Sequence, residues 1–169
     1  MVDKHSLKKH GRGGVTCHIC GLRPKSVGSV KLADANPNSP PLIDPAFLKD
    51  ERDLDTMLAG VKQAQQIMQA PSFDAHRGKA LYAGASNDDE ELKEDIRNRA
   101  DTIYHPVGTC KMGPDSDPNA VVDQRLRVRG IKSLRVIDAS IMPKIVSGNT
   151  NAPSIMIGEK GAHMILEDA

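Results

Sequence analysis

Between residues 53 and 70 apolar side chains return every three or four positions: Leu54, Met57, Leu58, Val61, Ala64, Ile67 and Met68. That spacing lays one stripe along a helix of period 3.6 and predicts a helix from Asp53 to Ala70, ended by Pro71. A second helix is predicted from Asn87. Glu90 stands in the capping-box position, acids crowd the first turn, and Leu92, Ile96 and Ala100 form the buried side. Upstream the period changes to two. Val15, Cys17 and Ile19 alternate with Thr16, His18 and Cys20, and the stretch VGSVKLA carries Val30 and Leu32 at alternate positions. These predict an antiparallel pair of strands broken by RPKS.

Pro37, Pro40, Pro41 and Pro45, with Asn, Asp and Ser between them, predict an extended loop over residues 34–45. VVDQRLRVRG (121–130) and SLRVIDAS (133–140) carry short strand patterns, and the consecutive Val136 and Ile137 fit a strand buried on both faces. Pro153 suits the first position of a final helix, with Ile155, Met156, Met164 and Ile165 on its core side. No internal repeat is present.

Composition narrows the function classes. Apolar residues are 38% and charged residues 27% of 169, which fits a folded chain. Aromatic residues are 2%, so the core is built from aliphatic side chains and methionine, and ring platforms for stacked bases are absent. The net charge of +1 gives no field for nucleic acid. Lys4, Lys8, Lys9 and Arg12 form a local basic cluster, read with residues 1–14 as a solvated, flexible lead-in. No apolar run reaches bilayer length, and the start has no apolar signal segment. With the odd set Cys17, Cys20 and Cys110, the expectation is a reduced, cytoplasmic chain without a transmembrane segment, with membrane association left open.

GRGGVT begins like a dinucleotide fingerprint, but Thr16 takes the place of the third glycine, and the pattern precedes a predicted strand instead of following one. It is rejected, and no phosphate-binding loop replaces it. Cys17, Cys20, His105 and Cys110 compose a candidate zinc set, weakened because residues 17 and 20 would face opposite sides of a strand. In YHPVGTCKMG (104–113), His105 stands before a proline that restricts it to extended backbone. On these residues alone it is a packed histidine, a metal ligand or an acid–base group.

YHPVGTCKMG, LRVIDASIMP (134–143) and NTNAPSIMIGEKGA (149–162) together resemble the C-terminal part of the glucose–methanol–choline (GMC) oxidoreductases, flavoenzymes that oxidise alcohols. CHICGLRPKSVGSV and DPAFLKDERDLDTMLAGVKQAQQI resemble the choline and alcohol dehydrogenase branch. The resemblance covers residues 13–168. Val27 departs from it, standing where the family carries a basic residue.

The resemblance implies an α+β fold, an antiparallel sheet packed with helices. Residues 15–102 would belong to the substrate-binding domain. Residues 103–169 would supply active-site loops, a strand and a helix that return to the FAD domain. It implies FAD as cofactor and a small alcohol as substrate. It also implies a partner: a missing FAD-binding half, or self-association through the surface meant for it. His105 would be the catalytic base, because a hydride leaves an alcohol carbon readily only as the hydroxyl loses its proton. Asn149 would donate to the developing alkoxide; its amide takes no proton, leaving His105 as the single base. Asp138, Ala139, Thr150 and Asn151 would contact the cofactor, with the start of the last helix facing the anionic edge of the reduced flavin. Lacking the ADP-binding half, the chain is expected to be inactive alone. A zinc-binding module and a non-catalytic truncated remnant are the alternatives.

Overall fold

The computed structural model describes residues 14–80 and 86–168, together with the backbone of the short strands β1 (Val2–Asp3) and β2 (Lys8–Lys9). The expected flexible lead-in lies largely outside the described residues. The chain divides into two compact units, Met1–Gly28 with Pro45–Ile103, and Ser29–Asp44 with Tyr104–Ala169. The class is α+β, with antiparallel strand pairs and, among the described residues, three α-helices.

The first unit is built on α1 (Glu51–Met68) and α2 (Asp89–Arg99). Leu54 and Leu58 of α1 pack with Leu92 and Ile96 of α2, and Leu48, Met57, Val61 and Ala100 close the rim. Leu92 is the centre, 1% exposed. Both helices begin on an aspartate that caps them. Asp50 accepts the N–H of Arg52, and Asp88 accepts those of Glu90 and Glu91. The start of α1 therefore lies two residues before the expected Asp53, because a cap lies outside the apolar stripe, and α2 is capped by Asp88 and not by the expected Asn87, which leaves Glu90 at the second helical position and out of the capping-box position. Beside Asp50 the Arg52 guanidinium holds the carboxyl down to about 2.

Asp53, in the first turn of α1, accepts the backbone N–H groups of Lys25 and Ser26, each at 2.8 Å. The Ser26 hydroxyl accepts the Asp50 N–H at 3.0 Å. The stretch before β3 is thus tied to the start of α1 by a charged acceptor. Burial pushes the Asp53 carboxyl up, but the Ser26 hydroxyl and the two N–H groups outweigh it and hold it below the ordinary value. The strand expected over residues 15–20 does not form. That stretch is irregular and exposed, except that Ile19 is half-buried and lies where a Cβ on Gly60 of α1 would overlap it. The alternation there marks one anchor residue and not a pleat.

In the second unit the strand partner comes from the loop expected over 34–45. β3 (Ser29–Lys31) pairs antiparallel with β4 (Leu42–Asp44), with Val30 opposite Ile43. Asp34 and Asn36 side chains accept the N–H groups of Asn36 and Asn38 and turn the chain back. β4 begins after Pro41 and ends before Pro45, so no proline falls on a ladder N–H.

The core of this unit is Val122, Leu126, Ile141, Met142 and Ile157, with Val122 fully enclosed. The strands expected at 121–130 and 133–140 appear only as isolated pairings, Val122 with Met112 and Val128, and Arg127 with Arg135. Leu126, Gly130 and Ser133 hold positive φ, and a strand cannot run through left-handed residues. A short 3-10 turn, Ala139–Ile141, follows.

The last helix, α3 (Asn151–Glu167), starts two residues before Pro153, which sits in the first turn, where its missing N–H leaves no helical bond unmade. Gly161 faces Ile137 so closely that a Cβ would overlap it. At the far end Arg125 donates to Met164 O, Glu167 and Asp168, and Arg135 pairs with Asp168. Ile155, Met156, Ile165 and Leu166 of α3 are exposed. Among the described residues no helix is long and apolar enough to cross a membrane.

Two glycines of α3 give opposite expectations. Alanine is the better helix former by about 1 kcal/mol. At Gly158 nothing lies within 4 Å, so Gly158→Ala should raise the urea midpoint. Gly161→Ala should lower it, with a stability loss of about 1–3 kcal/mol from overpacking against Ile137. In the first unit, Asp53→Asn should cost roughly 1–3 kcal/mol in urea unfolding at neutral pH. Because the folded carboxyl is depressed, the loss is complete above the ordinary value of 3.8 and fades as pH falls through the lower folded value.

Candidate active site

The HPVG stretch is held by main-chain bonds to the 139–142 turn. Cys110 N donates to Ser140 O at 3.0 Å and Met112 N to Ile141 O at 2.8 Å. Gly108, at φ +91°, makes the turn that lets the chain reach these acceptors; Lys111 N closes it on Gly108 O at 3.2 Å. A Cβ on Gly108 would stand 3.3 Å from Met142 O, so glycine serves both the backbone angle and the close approach. Val107 and Met112 pack on the core from this loop.

His105 emerges just before that turn and is half-buried. Its Nδ1 lies 3.0 Å from Thr150 Oγ1, and the Thr150 N–H faces the same nitrogen at 3.5 Å. Two segments 45 residues apart in sequence meet here, the HPVG loop and the start of α3. Asn149, the residue before Thr150, is exposed. Each arm is preceded by a non-glycine residue in the left-handed region, Tyr104 at φ 66° and Ser147 at φ 65°. Such conformations cost about 1–3 kcal/mol each and concentrate where a site fixes the backbone. Neither was legible as a site feature, because nothing in a tyrosine or serine codes for positive φ.

Thr150 caps α3 by position but not by side chain: it makes no cap hydrogen bond. The N–H groups of Asn151 and Ala152 begin the helix, and the Ser154 hydroxyl donates to Thr150 O at 2.6 Å. Asn151 is exposed. Asp138 is exposed too, and its carboxylate accepts the Ser140 N–H at 2.7 Å, capping the 139–141 turn. Ala139 is half-buried against the core. So the structure brings His105 and Thr150 into contact with Asn149 adjoining, and sets Asp138 and Ala139 on the turn that anchors the His105 loop.

The zinc set is a correction. Cys17 and Cys20 lie exposed on the irregular stretch of the first unit, and Cys110 is half-buried in the second. Among the described residues, no group of three or more His, Cys, Asp or Glu side chains could hold a metal ion. A tetrahedral zinc site needs such a group.

Residues 24–158 match the profile of the GMC oxidoreductase family. The chain is 52% identical over 166 residues to alcohol dehydrogenase [acceptor] of Pseudomonas putida, covering 95% of this chain and 30% of that protein. It is 47% identical over 149 residues to human mitochondrial choline dehydrogenase, covering 88% of this chain and 25% of that protein. Among solved structures, an FAD-dependent oxidoreductase from Chaetomium thermophilum superposes with a TM-score of 0.81 at 29% identity, over 87% of this chain and 26% of that one. The chain thus spans less than a third of the length of each of these three proteins.

Gly108→Ala tests the anchoring of the loop. It forces a Cβ into both a left-handed angle and the Met142 carbonyl, and should destabilise the chain by about 1–3 kcal/mol in urea unfolding. The chemical shifts of the His105 ring should move with it, and an unchanged ring environment would separate His105 from this turn.

Proposed function

The chain belongs to the GMC oxidoreductase family, and from that membership we propose that it forms the substrate-binding and proton-accepting portion of an FAD-dependent enzyme that oxidises an alcohol CH–OH group. Its relatives are by name an alcohol dehydrogenase and a choline dehydrogenase. In this reading residues 15–102 belong to the substrate-binding domain, and residues 103–169 carry the active-site loops and the helix that joins the FAD domain.

His105 takes the hydroxyl proton on Nε2, the ring nitrogen not engaged by Thr150. Proton removal makes the oxygen alkoxide-like and weakens the neighbouring C–H bond toward hydride loss. Asn149 donates its carboxamide N–H to the same oxygen, stabilising charge that grows only as the proton leaves. Since an amide takes up no proton at neutral pH, His105 acts as the single base. The observation that supports this reading most directly is the 3.0 Å contact of His105 with Thr150, one residue from Asn149.

The residues fit a flavin in one respect. The start of α3 has no side-chain cap, so the N–H groups of Asn151 and Ala152 and the positive helix end are available to an anionic ring edge. Thr150 and Asn151 there, and Asp138 and Ala139 on the neighbouring turn, are the residues we assign to holding it. FAD, when bound, would supply the two-electron hydride acceptor. The ADP part of the cofactor needs a second portion of protein, and the exposed Ile155, Met156, Ile165 and Leu166 on α3 are the surface we assign to docking it.

The test is a graft in which this chain replaces the matching 166-residue stretch of the Pseudomonas alcohol dehydrogenase. Alcohol-dependent dye reduction is expected. His105→Ala should lower kcat by roughly 10²–10⁴-fold, and Asn149→Ala by roughly 10²–10³-fold. A graft with His105→Ala that keeps the parent rate would remove the base assignment.

A further inference from the structure

A threonine at a helix start ordinarily turns its hydroxyl to accept an N–H of the first turn. Thr150 does not, and its oxygen lies 3.0 Å from His105 Nδ1 instead. The Thr150 N–H also faces Nδ1, at 3.5 Å, where a hydrogen bond is weak. One residue therefore controls one nitrogen of the imidazole, and the partner at one nitrogen decides what the other can do.

A backbone N–H can only donate. Acting alone it would keep Nδ1 bare and the ring proton on Nε2, where no second proton can be accepted. A hydroxyl can also accept. When it accepts Nδ1–H, the Nε2 lone pair is left free. We propose that Thr150 is a positioning residue for His105, its hydroxyl accepting Nδ1–H and holding the tautomer whose Nε2 can take a proton, against the opposite bias of its own backbone N–H. The proposal rests on the base role given to His105 above. After Nε2 gains the proton, the imidazolium carries N–H on both nitrogens, and the same hydroxyl still accepts from Nδ1. No partner has to change during the transfer. The departure of Thr150 from its usual capping role has its physical reason here.

The experiment is nitrogen–proton correlation of the His105 ring in this chain, in the wild type, Thr150→Val and Thr150→Ser. Wild type and Thr150→Ser should show the neutral ring protonated at Nδ1. Thr150→Val keeps the shape and the N–H but lacks the hydroxyl, and should show the proton on Nε2. Dispersed methyl resonances of the core report that each variant is folded, and Thr150→Ala reads the same loss if valine is not tolerated. In the graft, Thr150→Val should lower kcat by roughly 10–100-fold, the size seen when an orienting partner of a functional histidine is removed. KM should change little, and Thr150→Ser should restore the rate. The same ring proton position in wild type and in the hydroxyl-free variants overturns the proposal. A shifted proton in Thr150→Val together with full turnover of the His105→Ala graft upholds the tautomer role and removes the base reading.

Discussion

The main-chain carbonyls of residues 140 and 141 are what the second unit is organised around. Cys110 and Met112 donate to them, and the side chains of Ile141 and Met142 turn the other way into the core with Val122 and Ile157. A backbone this irregular must satisfy its buried polar groups one by one, because no continuous ladder does so. The result is a loop-rich body fixed by specific pairings: Val121 N to Lys111 O, Arg129 N to Val121 O, Val136 N to Leu126 O. Helix α3 closes over it, with Gly161 against Ile137 and the Arg125 and Arg135 side chains on its last turn. The position of the His105 loop follows from those pairings rather than from any helix or strand of its own.

The legibility of the fold tracks the kind of force at work. α1 and α2 were visible because a 3.6-residue stripe reports a buried face directly, and Leu54, Leu58, Leu92 and Ile96 are where it placed them. The start of α1 was off by two residues because Asp50 acts through a hydrogen bond outside the stripe, and that of α2 because Asp88, and not its neighbour Asn87, takes the cap. The strands were misplaced for a different reason. Alternation at 15–20 came from Ile19 reaching Gly60, and the proline-rich run at 34–45 concealed β4 because prolines flank it without entering it. Left-handed Leu126 and Ser133 broke the strand patterns at 121–140, and no side-chain pattern announces those angles. The candidate chemistry came from motifs. Placing His105, Asn149 and Thr150 together as candidates depended on the family resemblance. That Thr150 would touch the histidine itself needed coordinates.

The candidate site gathers several of the local irregularities of its unit. Tyr104 and Ser147 are held left-handed on either side of it, Gly108 turns where only glycine is unstrained, and Thr150 leaves its helix uncapped. Each is unfavourable by itself. Such departures persist where the surroundings over-determine them. Here the surroundings are the carbonyls of 140 and 141 and the closely packed α3, which fix both arms before any ligand arrives. Preorganisation of that kind is what a proton-accepting site needs, since a ring aimed in advance loses no freedom when it acts. The uncapped helix start and the histidine contact meet at one residue, whose hydroxyl lies against the imidazole and makes no cap bond.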